Sequence, residues 1–312
     1  MKKLAADSGA TKLRFFGKIR GTENDYYVAE AEGGGEEGGG EEGAELPPDF
    51  EAAGSGVNKF SYWVSHSSLG TWTKLPDISP SDLNAGRAIK ILFSGDLERP
   101  IYADPYYFKA NKTEKFYLRA QIARIVHSTT LCPKGLFRLT EDNPREVEDN
   151  APEEGDIVLP STAAMTNIGM WVHNNNNILL NNRTSHMEPE APEDSELTPE
   201  DLLKIIEAKD PYEKRLKQID EDNKVIVSKN MKICPWVVKE MGDSTEYKTE
   251  AGKTVCNGVV VVRSLQWPGS YNFYYQGRYL NIYVGNGHKY EVASYFPVNP
   301  PIVLADPDEY DI

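Results

Sequence analysis

Ala251-Gly-Lys-Thr254 has the ending of a phosphate-binding loop, in which backbone N–H groups cradle a phosphate, a lysine reaches it and a hydroxyl holds the metal ion. The full motif needs a glycine five positions before Gly252, where this chain has Tyr247, and a helix after the threonine, where it has a valine-rich, strand-like run. Lys253 is nevertheless the residue on which a nucleotide-dependent enzyme would have to be built. A second glycine cluster, Gly33 to Gly43, is a poorer cradle, because its interleaved glutamates repel phosphate and no lysine lies near.

The remaining chemistry-bearing residues form no set. His66, His127, His173, His186 and His288 lack the paired spacing of metal ligands, and no Gly-x-Ser-x-Gly nucleophile signature occurs. Asp306-Pro-Asp-Glu-Tyr-Asp311 alternates carboxylates but lacks the central glycine and final glutamate of a calcium loop. Cys132, Cys234 and Cys256 leave one over from any disulfide and suggest reduced, partly buried thiols. With 48 acidic residues, chance carboxylate pairs abound, and spacing in sequence does not fix their separation in space. The sequence therefore assigns no catalytic, cofactor-binding or metal-binding residue. A hydrolase using scattered carboxylates or Lys253 stands as the alternative reading.

A net charge of −14 argues against a nucleic-acid partner, which needs clustered lysine and arginine. Basic and aromatic residues do interleave over Lys109 to Arg124, but Leu118, Ile122 and Ile125 fit an amphipathic element, either a short helix or a bulged strand, with Arg119 and Arg124 as carboxylate partners. At 39% hydrophobic and 26% charged, the 312 residues can bury a sizeable core. No apolar window approaches the length that crosses a bilayer, so a cytosolic location is expected. Five tryptophans and seventeen tyrosines supply core area and interface anchors. Tyr271-Asn-Phe-Tyr-Tyr-Gln276 is the stretch expected to expose aromatics, since they fall on both faces of a presumed strand.

Positioning elements follow from pattern. Val259–Val262 and Leu280–Val284 read as buried strands, with Trp267-Pro268-Gly269 as a turn, and the two runs suggest a hairpin or strand corner. Asp25–Val28 and Phe60–Val64 read as neighbouring strands joined by an expanded connection, Glu30 to Glu45, too rich in glycine and glutamate to build a core. Ser79-Pro80 starts one helix, with Ala85, Ala88, Ile89 and Leu92 on its apolar stripe and Gly95 as stop. Thr198-Pro-Glu-Asp201 starts a second in capping-box style, and Asp210-Pro211 a third carrying Tyr212, Leu216 and Ile219. Glu141–Gly155 and Glu188–Glu196 read as acidic linkers, Asp156–Leu159 as a strand start, and Pro297–Ile312 as an extended tail. The fold class is α+β, strand-dominated, with a few short helices and long acidic or Gly/Pro-rich loops.

Four ordered blocks carry a specific resemblance: Leu13-Arg-Phe-Phe-Gly-Lys-Ile19 with Asp25-Tyr-Tyr-Val28, Gly56–Val64 continuing to Trp72–Asp77, Tyr117–Ile125, and Ser264-Leu-Gln-Trp-Pro-Gly-Ser-Tyr271 with Tyr279–Gly285. From about Leu13 to Pro301 the chain resembles the radial spoke head protein four/six family of motile cilia and flagella. The resemblance implies a non-enzymatic subunit of the axonemal spoke head, contributing to head assembly and to contact with the central-pair apparatus that regulates dynein. It implies partners in a like subunit or paralogue, other spoke-head proteins and central-pair projections, with no nucleic acid, membrane, cofactor or small-molecule substrate. Residues 1–12 then read as an N-terminal tail, 13–300 as the spoke-head domain with loop 30–45, linkers 141–155 and 188–196 and a helical insertion 198–220, and 301–312 as an acidic C-terminal tail. Two departures are the dozen residues before the first block, shorter than the family's usual N-terminal region, and the acidic glycine insertion.

Overall fold

The computed structural model describes residues 2–33, 47, 49–67, 69–102, 112–152, 157, 159–189, 197–228, 231–243, 245–250, 252 and 254–290. Lys2–Ser8 forms a short helix, α1, in which Leu4 is buried, so part of the segment read as a tail is packed structure. β1 (Lys12–Ile19), β2 (Tyr26–Glu32), β3 (Ser61–Ser65) and β4 (Thr73–Lys74) follow as an antiparallel meander. The expected pairing across the acidic insertion holds, with Val28 opposite Val64. The insertion itself is shorter than the sequence suggested at its start: Glu30–Glu32 belong to β2, paired with Arg14, Leu13 and Lys12 of β1, and burial on both faces continues through Ala31. Residues 34–45 lie outside the described residues.

Two helices come next, α2 (Pro80–Ala88) and α3 (Glu114–Thr129). The Ser79 cap on α2 is reciprocal, with Asp82 returning the bond, but the helix stops at Ala88; Ile89 is already extended and Leu92 is exposed. Where the sequence left a short helix or a bulged strand, α3 runs for 16 residues and is buried nearly all round, including Arg119 and Gln121. Such a helix shows little amphipathic contrast, because both sides meet protein. Arg119 consequently donates to the carbonyls of Val57 and Phe60 and lies over the Tyr62 ring instead of meeting a carboxylate.

The middle of the chain adds β5 (Leu131–Pro133) paired with β8 (Trp171–His173), and a small hairpin of β6 (Phe137–Leu139) and β7 (Val147–Asp149). The acidic linker 141–155 thus contains a strand. Ile157 and Leu159, expected to start one, are not in a strand. Helix α4 (Pro199–Lys209) has the expected Thr198–Asp201 capping box. The third expected helix is absent: residues 211–218 are irregular, Leu216 takes a left-handed φ of 53°, and only Ile219–Glu221 makes a single tight turn.

After a β9–β10 hairpin (Val225–Ser228, Met231–Ile233) comes β11 (Trp236–Met241), then a second hairpin of β12 (Glu246–Lys248) and β13 (Thr254–Cys256). β14 (Val259–Ser264), β15 (Ser270–Tyr275) and β16 (Arg278–Gly285) complete the fold. The Val259 and Leu280 runs are not partners, because β15 lies between them. Gln276-Gly277, both at positive φ, make the tight two-residue turn that closes the β15–β16 hairpin.

One eight-stranded sheet results, in the order β11-β14-β15-β16-β1-β2-β3-β4. Two antiparallel halves meet at a single parallel seam, where Gly17, Lys18 and Ile19 face Tyr283, Val284 and Gly285. A bulge at Phe16 lets the seam form, and a Cβ at Gly17 would lie 1.9 Å from the Tyr283 carbonyl oxygen. One face of the sheet is covered over most of its width. α3 packs Tyr117, Leu118, Ile122 and Ile125 against Phe16, Ile19, Tyr26, Val28 and Tyr283. Leu131, Met165, Trp171 and Ile219 do the same over Val260, Val262 and Tyr274. Trp171, Trp236 and Trp267 are core residues; Trp63 and Trp72 are half-buried.

Candidate interaction surface

The residues singled out for chemistry are dispersed. Lys253 lies outside the described residues, as does Asp306–Asp311. Gly252 sits in the connection between β12 and β13, and Thr254 begins a strand, so no helix N-terminus stands where a phosphate loop requires one. His127 bonds the Asn176 carbonyl and His186 that of Asp210, while His173 meets Asp222 at 2.8 Å. His288 stacks on Phe93, and His66 packs against Tyr26. Burial holds both His127 and His288 below the usual histidine range. All three cysteines are free, and among the described residues no group of three His, Cys, Asp or Glu could hold a metal ion.

Sequence reasoning missed two buried carboxylates that organise the covered face. Glu114, at the start of α3, accepts from Tyr26 Oη, from Ser94 N and Oγ and from Gly95 N, all within 3.0 Å. Glu30 takes both Nε and Nη2 of Arg14 and the hydroxyl of Tyr62. A Tyr 32 or 88 residues from its Glu gives no signal in one dimension. Their satisfied hydrogen bonds mark them as structural fixtures.

The opposite face of the sheet has a different character. Register places Val237, Arg263, Tyr271 and Ile282 in one row across β11, β14, β15 and β16, and Lys239, Val261, Phe273 and Leu280 in the next. Met241 is 56% exposed, Leu280 51%, Tyr275 41% and Phe15 37%, while Tyr271 and Phe273 are half-buried with their rings stacked 6.3 Å apart. The sequence expectation of exposed aromatics in this stretch therefore holds for Tyr275 and in part for its two neighbours, whereas Tyr274 points into the core.

Charge on this face is one-sided. Lys239, Arg263 and Arg278 are exposed there, and no ion pair among the described residues involves them. The acidic residues of the sheet strands, Glu30, Glu32 and Glu240, alternate to the covered side. This surface joins exposed aliphatic and aromatic side chains to cations on a chain of net charge −14.

Architecturally, then, this is a sheet-platform protein, one face closed over a core and the other open. The chain belongs to the radial spokehead-like protein family, whose profile matches residues 1–49 and 41–311. Among curated relatives it is similar to mouse radial spoke head protein 6 homolog A, at 30% identity over 97% of this chain and 48% of the relative. Human radial spoke head protein 4 homolog A is 29% identical over 98% of this chain and 46% of its own length. Flagellar radial spoke protein 4 of Chlamydomonas reinhardtii is 30% identical over 94% and 61% respectively. The chain thus spans roughly half the length of the curated relatives it matches.

Proposed function

We propose that this protein is a structural subunit of the radial spoke head in the axoneme of motile cilia or flagella. In this role it performs no catalysis; it helps to assemble the head and to present it to the central-pair apparatus that controls dynein-driven bending. Family membership and the names of the relatives support the reading, and the open sheet face carries it structurally. That face offers apolar rows to pack on and cations to orient an acidic neighbour, which suits a second copy, a paralogue or another head protein. The chain's net negative charge makes such neighbours complementary wherever they share it.

The decisive experiment is expression of the tagged chain in cells with motile cilia, followed by axoneme isolation, salt extraction of the spokes and mass spectrometry. Recovery in a stable complex with other spoke-head proteins is the expected result. A chain that stays soluble and absent from axonemes would overturn the proposal.

A further inference from the structure

On β11, β14, β15 and β16 the outward-facing positions alternate with Val238, Val260, Val262, Tyr274 and Tyr283, which pack in or against the core. Not one of those outward positions is Asp or Glu, in a chain with 48 acidic residues among 312. The centre of this half-face is apolar. Val261, Phe273 and Leu280 lie side by side across β14, β15 and β16, Tyr271 and Ile282 pair in the adjoining row, and the rings of Tyr271 and Phe273 stack.

The cations stand at the margins of that centre. Lys239 ends the first row on the edge strand β11, Arg263 lies in the second row on β14, and Arg278 is beside Tyr275 on β16. With neighbouring strands about 4.8 Å apart, β11 and β14 lie roughly 10 to 14 Å from β16. All three cations are exposed.

Two copies cannot satisfy this face by packing it on itself. An isologous contact presents the same patch from both sides, so three cations would meet three more and no carboxylate, and like charges set across an interface oppose binding. Another surface of the same chain would make a heterologous contact, which runs on into a filament unless it closes into a ring. The arrangement fits a different partner, with carboxylates on both sides of an apolar strip.

We propose that this half of the open face docks an α-helix of a different protein, whose apolar stripe is flanked on both sides by Asp or Glu. A helix about 10–12 Å across, lying along the strands, fits between the two sets of cations. Its stripe covers Tyr271, Phe273, Leu280 and Ile282, while carboxylates on one flank reach Lys239 and Arg263 and those on the other reach Arg278. A segment of acids alone would leave the aromatic centre in water, and a wholly apolar one would bury cations without partners. The inference rests on the reading above of this face as a contact surface, but not on the helix belonging to the spoke head.

The test treats gentle lysates of cells expressing the tagged full chain with a carbodiimide, which joins a lysine amine to a carboxylate that it touches, and maps the adducts by mass spectrometry. Lys239 should couple to an Asp or Glu of another protein, at a position three or four residues from aliphatic ones. High salt during lysis should lower the yield. Leu280→Glu and Arg278→Glu, which both leave Lys239 in place, should each lower it about fivefold or more, while Lys204→Gln on exposed α4 should not change it. Circular dichroism of each purified variant reports its folding, and a variant that misfolds leaves the decision to the other. Adducts of Lys239 to this chain's own carboxylates alone, no adduct, or an undiminished yield in both folded variants overturns the proposal. Sedimentation equilibrium of the purified chain is the independent check: a dimer that Leu280→Glu dissociates overturns the proposal and makes the face a self-association surface. Fractionation of the same cells into axonemes and cytosol judges the spoke-head reading separately, so either reading can fail alone.

Discussion

Tyr26 in β2 and Glu114 at the first turn of α3 meet in a 2.8 Å hydrogen bond although 88 residues separate them. Both are completely buried, and the same carboxylate holds Ser94 and Gly95, so one side chain pins the principal helix and the 93–95 turn to the sheet. Burial, reinforced by Glu114, pushes the Tyr26 phenol well above its ordinary range, so it remains a donor at any physiological pH.

Removing the acceptor should therefore hurt more than removing one donor. Tyr26→Phe is expected to cost about 1–2 kcal/mol, and Glu114→Ala about 3 kcal/mol or more, since three donor residues lose their partner in the interior. Urea denaturation of the two variants checks the order; equal costs would refute the account.

Glu30 and Glu32 differ by one turn of the strand's alternation but not in composition. Glu30 is 6% exposed and bonded to Arg14 and Tyr62, whereas the Lys12–Glu32 pair is largely solvated. We expect Glu30→Gln to cost about 1–3 kcal/mol and Glu32→Gln less than about 0.5 kcal/mol. Midpoints of chemical unfolding measured side by side would show it.

The parallel seam rests on Gly17. An alanine there would drive its Cβ into the Tyr283 carbonyl, from a φ of 152° that side chains rarely adopt. Gly17→Ala should destabilise by about 3 kcal/mol or more. Loss of hydrogen-exchange protection in β1 and β16 ahead of β14 and β15 would locate the damage.

For the open face the expectation reverses. Leu280→Glu or Arg263→Glu should leave stability nearly unchanged, within about 0.5 kcal/mol, because neither side chain is in the core. Co-sedimentation with axonemes should nevertheless fall. A destabilised variant, or one that still co-sediments normally, would argue against this face as the contact.

Acidification should weaken the fold through His127 and His288. Burial keeps each below the ordinary value of 6.5, so below that pH the unfolded chain binds protons that the native one refuses. Stability then rises with pH through this window and falls as pH drops from 6.5 toward the native values. Urea midpoints between pH 5 and 8 should show the slope, and His288→Gln should flatten it.

Much of this molecule was legible in one dimension wherever the cause is local. Ser79 and Thr198 cap their helices as their spacing from Asp82 and Asp201 dictates, because a capping box involves four adjacent residues. Runs of β-branched and aromatic residues gave β2, β3 and β14, and the pairing of β2 with β3 followed from their flanking an uncoreable insertion. Four ordered blocks gave the family, since they hold the residues of β1 to β4, of the buried helix α3 and of β15 and β16 in chain order.

Tertiary structure alone decided the rest. α3 hides its helical period because protein surrounds it, and the segment after Asp210 is irregular and brings Ile219 into the core. The partnership of β1 with β16, the burial of Glu114 and the separation of one carboxylate-free face from an acidic whole all arise from contacts between residues far apart in sequence. Such contacts are fixed by packing and by the need to satisfy buried polar groups, and neither leaves a periodic trace in the chain.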